Sequence, residues 1–353
     1  MPLSRSLTTK VFSCCGIILS ILVLIGSLAG VAPSEAAEAL RYNPDTVRAL
    51  DREIAVCVDE RYLAVLRGLR WCVIFFDDDR KFDFTFPNYI IMLHELTLPP
   101  SHPVLTRIVH DLIVKEFERA LPRFPRLFTA DSDGYGEFVL TLPVAYRNQV
   151  PAEPLRQFAA RHFAGVAPPD RKNEFRKAAK DRDYDWLLSL LFRATFVDMA
   201  YGMGIDKDFR LPPDYLPVFL TECASIPLRA RFGQDAYYAD QNYYATHVLL
   251  ALIHYGQRPL APSPAGDVVL SYLSRHYDRV RNRVNDLDLL CEYLYSFRKL
   301  GQGSADFVTE GERYVLAVQR TDGSWGTPES FAGNPYDQFH PTWTAITLLV
   351  QDR

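Results

Sequence analysis

Helices that are apolar on every side alternate with helices that carry charge along one side, and this alternation restricts the chain more than any other feature. Residues 186–203, 243–255, 287–300 and 342–350 form the apolar set. Residues 216–228, 268–281 and 307–320 lie between them and carry Arg, Glu or Asp on one face. A helix apolar all round must be buried on every side, whereas an amphipathic one can form an outer layer. The alternation therefore predicts two concentric layers. The apolar helices open at Asp185, Asp240, Asp286 and Asp337, at intervals of about 50 residues. That period marks an array of helical pairs, of which residues 40–353 would hold about six. A closed ring suits the pattern better than an open stack, because an open stack needs polar caps and this chain ends in an apolar helix.

Upstream the pattern is less regular. Residues 44–76 read as one helical stretch, and Pro103 opens another with Ile108, Val109, Leu112, Ile113, Phe117 and Leu121 on one face. Residues 138–144 are ambiguous, and Pro143 weakens them as a strand. No linker or composition shift interrupts residues 40–353, which read as a single all-α domain. With net charge −4 and a sequence pI of about 6.1 there is no basic field for a phosphate backbone, so nucleic-acid binding is excluded.

Residues 1–39 differ from the rest. Arg5 and Lys10 precede an uncharged run over residues 11–31, followed by Ala37-Glu38-Ala39 as a small-x-small cleavage site. The segment reads as a signal peptide or a retained N-terminal membrane anchor, with membrane contact through residues 11–31 if it is uncleaved. Either outcome exports residues 40–353 to the periplasm or the exterior, free or membrane-anchored. Cys14 and Cys15 fall in the apolar run. Cys57, Cys72, Cys223 and Cys291 are scattered and read mostly as small buried residues; if Cys57 and Cys72 share one helix they stand too far apart to bridge.

Residues 314–325 combine Tyr314, Gln319, Gly323 and Trp325 at a spacing that resembles the glutamine-tryptophan repeat of terpenoid cyclases; Gly311 fits, while Glu310 replaces the usual leading base. The resemblance implies an α/α toroid of about six helical hairpins, shared with protein prenyltransferases, in which Gln319 and Trp325 tie the outer ring together. It does not imply a squalene-type cyclase, since no Asp-x-Asp-Asp tetrad is present. In prenyltransferases an Asp, a Cys and a His hold zinc at the rim of the ring. His340 looks like that histidine, and Asp288 and Cys291 stand three apart where the family has two.

Asp183, Asp185, Asp240, Asp286, Asp288 and Asp337 open the apolar helices. Aspartate is a favoured cap there for purely structural reasons. Read functionally, the same acids form a carboxylate ring at the mouth of a central cavity, able to bind a cation or act as general acid. Tyr243, Tyr244 and His247 offer a hydroxyl and an imidazole for proton abstraction, as a polysaccharide lyase requires. The aspartate-rich residues 75–83 read as a solvated helix end, given Arg80 and Lys81. Three functions follow as expectations: an exported enzyme on an apolar or isoprenoid-like substrate, a polysaccharide lyase or glycosidase, or a non-catalytic toroid that binds a protein or lipid partner. The candidate catalytic residues are Asp240, Tyr243, His247, Asp286 and Asp337; the candidate zinc ligands are Asp288, Cys291 and His340.

Overall fold

The computed structural model describes residues 40–98, 102–283 and 286–350, and among these every regular element is helical. Residues 1–39, with the apolar run, Cys14 and Cys15, lie outside the described residues. No helix among the described residues is long and apolar enough to cross a membrane.

In chain order the helices are α1 (Pro44–Val56), α2 (Glu60–Phe75), α3 (Asp79–Glu95), α4 (Pro103–Ala120), α5 (Phe124–Leu127), α6 (Ser132–Arg147), α7 (Ala152–His162) and α8 (Lys172–Asp181). Then come α9 (Tyr184–Gly202), α10 (Leu216–Cys223), α11 (Tyr238–Leu252), α12 (Pro264–Arg283), α13 (Leu287–Phe297), α14 (Asp306–Ala317), α15 (Pro328–Ala332) and α16 (Pro335–Val350). Helices α3, α6, α9, α11, α13 and α16 each pack on the next, and α16 packs back on α3. The others lie against this set: α4 on α3, α8 and α10 on α9, α12 on α11 and α13, α14 on α13, and α2 on α16. One continuous apolar core joins them.

Several local expectations are corrected. Residues 44–76 are two helices, because the Asp59 carboxylate caps α2 by accepting from the Tyr62 amide at 2.7 Å. Cys57 therefore lies in extended backbone just past the end of α1 while Cys72 lies within α2; Cys72, Cys223 and Cys291 are buried, Cys57 is half-buried, and all four thiols are free. Residues 138–144 lie within α6, with Pro143 inside it. Helix α10 ends at Cys223, well short of residue 228, because Pro227 disfavours helical backbone before it.

The glutamine-tryptophan residues join the end of the chain to its beginning. Gln319 donates to the Ala64 carbonyl of α2 and to the Gly323 carbonyl, both at 2.9 Å. The fully buried Trp325 donates its indole N–H to the Val315 carbonyl at 2.7 Å. A Cβ on Gly68 would stand 2.8 Å from the Trp325 ring and 2.5 Å from the Ile346 side chain, so glycine lets α2 approach this seam. Gly323 takes φ 95°, a left-handed turn that glycine adopts without strain.

The aspartates of residues 77–79 are not a solvated helix end. Asp77 accepts from the Arg41 and Tyr42 amides, Asp78 caps α3, and Asp79 pairs with Arg41, Arg119 and Arg123 at 2.7, 3.0 and 2.5 Å. Burial raises the Asp79 carboxyl, but bonding to Arg123 and Arg119 outweighs it and holds the group well below the usual carboxylate range.

Candidate functional site

Side chains from α3, α6, α9, α11, α13 and α16 enclose a cavity of about 360 Å³. Its walls carry the rings of Trp186, Phe192, Tyr255, Tyr295, Tyr336 and Trp343, together with the carboxyl groups of Glu95, Glu137 and Glu292. Above it opens a mouth lined by Asp185, Asp240, Asp286, Asp288 and Asp337; Asp185, Leu188, His247, Tyr336 and His340 border both spaces. The capping and ring readings of these acids are compatible. Asp183 and Asp286 cap α9 and α13, Asp185, Asp240, Asp288 and Asp337 lie in first turns, and all but Asp183 face the mouth.

On α13, Asp288 and Glu292 are four residues apart and so share one helix face. From α16, His340 Nδ1 reaches Asp288 Oδ2 at 2.5 Å. The imidazole is held by stacking on Tyr336, with ring centroids 4.6 Å apart, and by the edge of Trp343 at 5.0 Å. One ligand atom from each of Asp288, Glu292 and His340 lies within 4.8 Å of the others, a group able to hold a metal ion. The Asp288 Oδ1 atom is buried without a hydrogen-bond partner, while the nearby Thr344 hydroxyl donates to the Pro341 carbonyl.

This differs from the Asp288, Cys291, His340 set in one member. Cys291 lines the cavity, but the third ligand atom beside Asp288 and His340 belongs to Glu292, and burial pushes the Cys291 thiol up. One residue along a helix turns a side chain by about 100°, enough to exchange Cys291 for Glu292.

The tyrosines and His247 are also placed differently from a lyase dyad. The Tyr243 hydroxyl donates to Asp286 Oδ2 at 2.9 Å and Asp288 Oδ2 at 3.0 Å. His247 Nδ1 donates to the Tyr243 backbone carbonyl at 2.9 Å, which leaves Nε2 as the acceptor of the neutral ring. Burial lowers the His247 pKa to about 4. No hydroxyl–imidazole pair forms between them. Tyr244 turns away, its buried ring 5.7 Å from that of Tyr184.

The acids of the site differ among themselves. Burial and the Asp288 charge push Glu292 well above the carboxylate range; it accepts from the Thr246 hydroxyl. Burial also raises Asp288, but the adjacent His340 outweighs it and holds Asp288 low. Burial and the Asp288 charge raise Asp286; burial and the Asp185 charge raise Asp240. At the deep end, Glu95 is buried, accepts from the Trp343 indole at 2.7 Å and the Thr347 hydroxyl at 3.1 Å, and is raised by burial to about 7. Glu95 and Glu292 escaped the sequence reading. The available signal was position: Glu95 ends α3, where the helix dipole disfavours an anion, and Glu292 interrupts an apolar helix.

No family model matches this chain, and neither a curated protein nor a solved structure matches it.

Proposed function

We propose that the protein is an exported α/α toroid of six helical hairpins whose central cavity is a metal-dependent active site. The closed circuit of contacts from α3 round to α16, and the seam from Gln319 to Ala64, support the toroid. The N-terminal pattern of Arg5, Lys10 and the apolar residues 11–31 supports export.

One observation carries the functional reading: Asp288, Glu292 and His340 converge within 4.8 Å where the mouth meets the cavity, with a buried Asp288 oxygen left unpartnered. Two carboxylates and an imidazole suit a divalent ion such as zinc or manganese. Such an ion, when bound, supplies Lewis acidity to a substrate oxygen. The chain's own residues orient the site. The Tyr243 hydroxyl fixes the Asp288 carboxylate from outside the ligand set, and Tyr336 and Trp343 fix the His340 ring. The aromatic walls limit water, and His247 Nδ1 stands 3.5 Å from Glu292 Oε2.

The other readings fit less well. Asp288 and Glu292 rise from one face of one helix, so they do not flank a glycosidic bond as a hydrolytic pair must. The acidic mouth repels uronate chains and free diphosphates alike. An isoprenoid-like substrate suits Trp186, Phe192, Leu140, Leu188 and Leu250, but a pure hydrocarbon would leave the buried carboxyl groups unanswered. A non-catalytic toroid that binds a protein or lipid partner gives no role to the converging Asp288, Glu292 and His340.

Metal analysis of purified chain, stripped with chelator and reloaded with zinc, tests the proposal. We expect one ion per chain, lost in His340→Ala with the helical content intact. A wild-type chain that retains no ion after reloading contradicts it.

A further inference from the structure

We infer that the ligand of this chamber is an organic cation, a primary amine in its ammonium form, seated with its positive charge against Glu95 at the deep end. This deepens the proposed function by naming a substrate class, and rests on that reading only in taking the cavity as the ligand site.

The first observation is the charge of the lining. Cavity and mouth together present eight carboxyl groups and a single guanidinium, Arg193, which is itself paired with Glu137. A recess lined by one sign of charge concentrates its field, draws in cations and repels anions. A divalent ion at Asp288, Glu292 and His340 answers only the upper part of that field.

The second observation lies at the floor. The Glu95 carboxyl accepts hydrogen bonds from two neutral donors, Trp343 and Thr347. Beside it the Tyr255 hydroxyl is buried with no hydrogen-bond partner, within the field of Glu95 and Glu292. A buried polar atom left unpaired costs stability that a ligand recovers. Tyr255 is held there by unusual backbone: His254 and Tyr255 take φ 48° and 52° in succession, a left-handed conformation that costs ordinary residues energy. An ammonium group donates to the Glu95 carboxylate and the Tyr255 oxygen together. The faces of Trp343, Tyr295 and Phe192 around it suit the adjoining alkyl or aryl groups and add cation–π attraction.

Calorimetric titration of the purified chain with 4-phenylbutylamine, 4-phenylbutanol and 4-phenylbutyrate tests this, since the three probes differ in charge and little in size. The amine should bind at least roughly tenfold more tightly than the alcohol, and the carboxylate should not bind. Glu95→Gln keeps an oxygen for Trp343 and Thr347 and should abolish the preference for the amine while leaving zinc uptake intact. Tyr255→Phe removes the unpaired hydroxyl without loss of packing, and should weaken the amine about threefold with the alcohol unchanged. Equal binding of amine and alcohol, or an amine preference that survives Glu95→Gln, overturns the inference. If zinc is taken up and no probe binds, the cation inference fails and the metal site stands; if the amine binds and zinc does not, the metal reading fails instead.

Discussion

Two groups of aspartates stand in opposite electrostatic situations in this chain. At the start of α3, burial works against Asp79, yet Arg41, Arg119 and Arg123 surround it and hold its carboxyl low. At the mouth of the cavity, Asp240 and Asp286 are raised, first by burial and then by neighbouring carboxylates, and among the described residues no guanidinium or ammonium lines that space. The same residue type thus stabilises the fold in one place and burdens it in the other. An unneutralised cluster that costs stability is explained by what it binds, whereas a neutralised one is explained by the fold.

The comparison can be broken most easily through Arg119, whose side chain is 6% exposed and which also donates to the Phe76 carbonyl and lies over the Tyr42 and Phe82 rings. Arg119→Ala should cost about 3–5 kcal/mol in urea unfolding, because it takes the guanidinium away from the buried Glu116 carboxylate, weakens the Asp79 cluster and removes packing. A loss below about 1 kcal/mol would place the junction among ordinary surface ion pairs.

Next in size is a pair of opposite pH effects. Asp79 has a folded pKa below its unfolded value of about 3.9, so its contribution is complete above the unfolded value, declines below it and is lost as pH falls through the folded pKa. Asp79→Asn should therefore destabilise at neutral pH and converge with the parent in acid. Asp240 has a folded pKa above the unfolded value, so its burden is complete above the folded pKa and is relieved as pH falls through it. Asp240→Asn should raise stability at neutral pH by less than about 1 kcal/mol, with the gain fading in acid. Thermal unfolding followed from pH 7 to pH 3 reads both signs, and equal signs would dissolve the distinction.

The smallest effect is that of salt. Raising ionic strength to about 0.5 M should screen repulsion at the mouth and stabilise the parent by a few tenths of a kcal/mol more than Asp240→Asn. An identical salt response in the two would indicate that the mouth acids do not repel one another.

Much of the architecture was legible because it follows from pattern. The periodic apolar faces mark helices along the chain, and the spacing from Gln319 through Gly323 to Trp325 marks the seam that α2 completes through Gly68. The site was legible only in part, for a related reason. A helix buried on all sides does not reveal which side faces inward, so although Glu292 interrupts the apolar pattern of α13, that pattern does not choose between it and Cys291 as the partner of Asp288. Asp288 and His340 could be paired because both lie near the starts of their helices, Asp288 in the first turn of α13 and His340 just before Pro341 in the first half of α16. Glu95 and Tyr255 could not, since Glu95 closes its helix and Tyr255 follows the last turn of α11, in a backbone conformation that the sequence does not announce.

The central claim is that Asp288, Glu292 and His340 form a cation site and that Cys291 does not belong to it. Calorimetric titration of zinc into chelator-stripped parent, Glu292→Gln and Cys291→Ala chains tests this directly. We expect one site in the parent, an affinity reduced at least roughly tenfold in Glu292→Gln, and an unchanged affinity in Cys291→Ala. Loss of zinc in Cys291→Ala with full retention in Glu292→Gln, or no uptake by the parent, would contradict it.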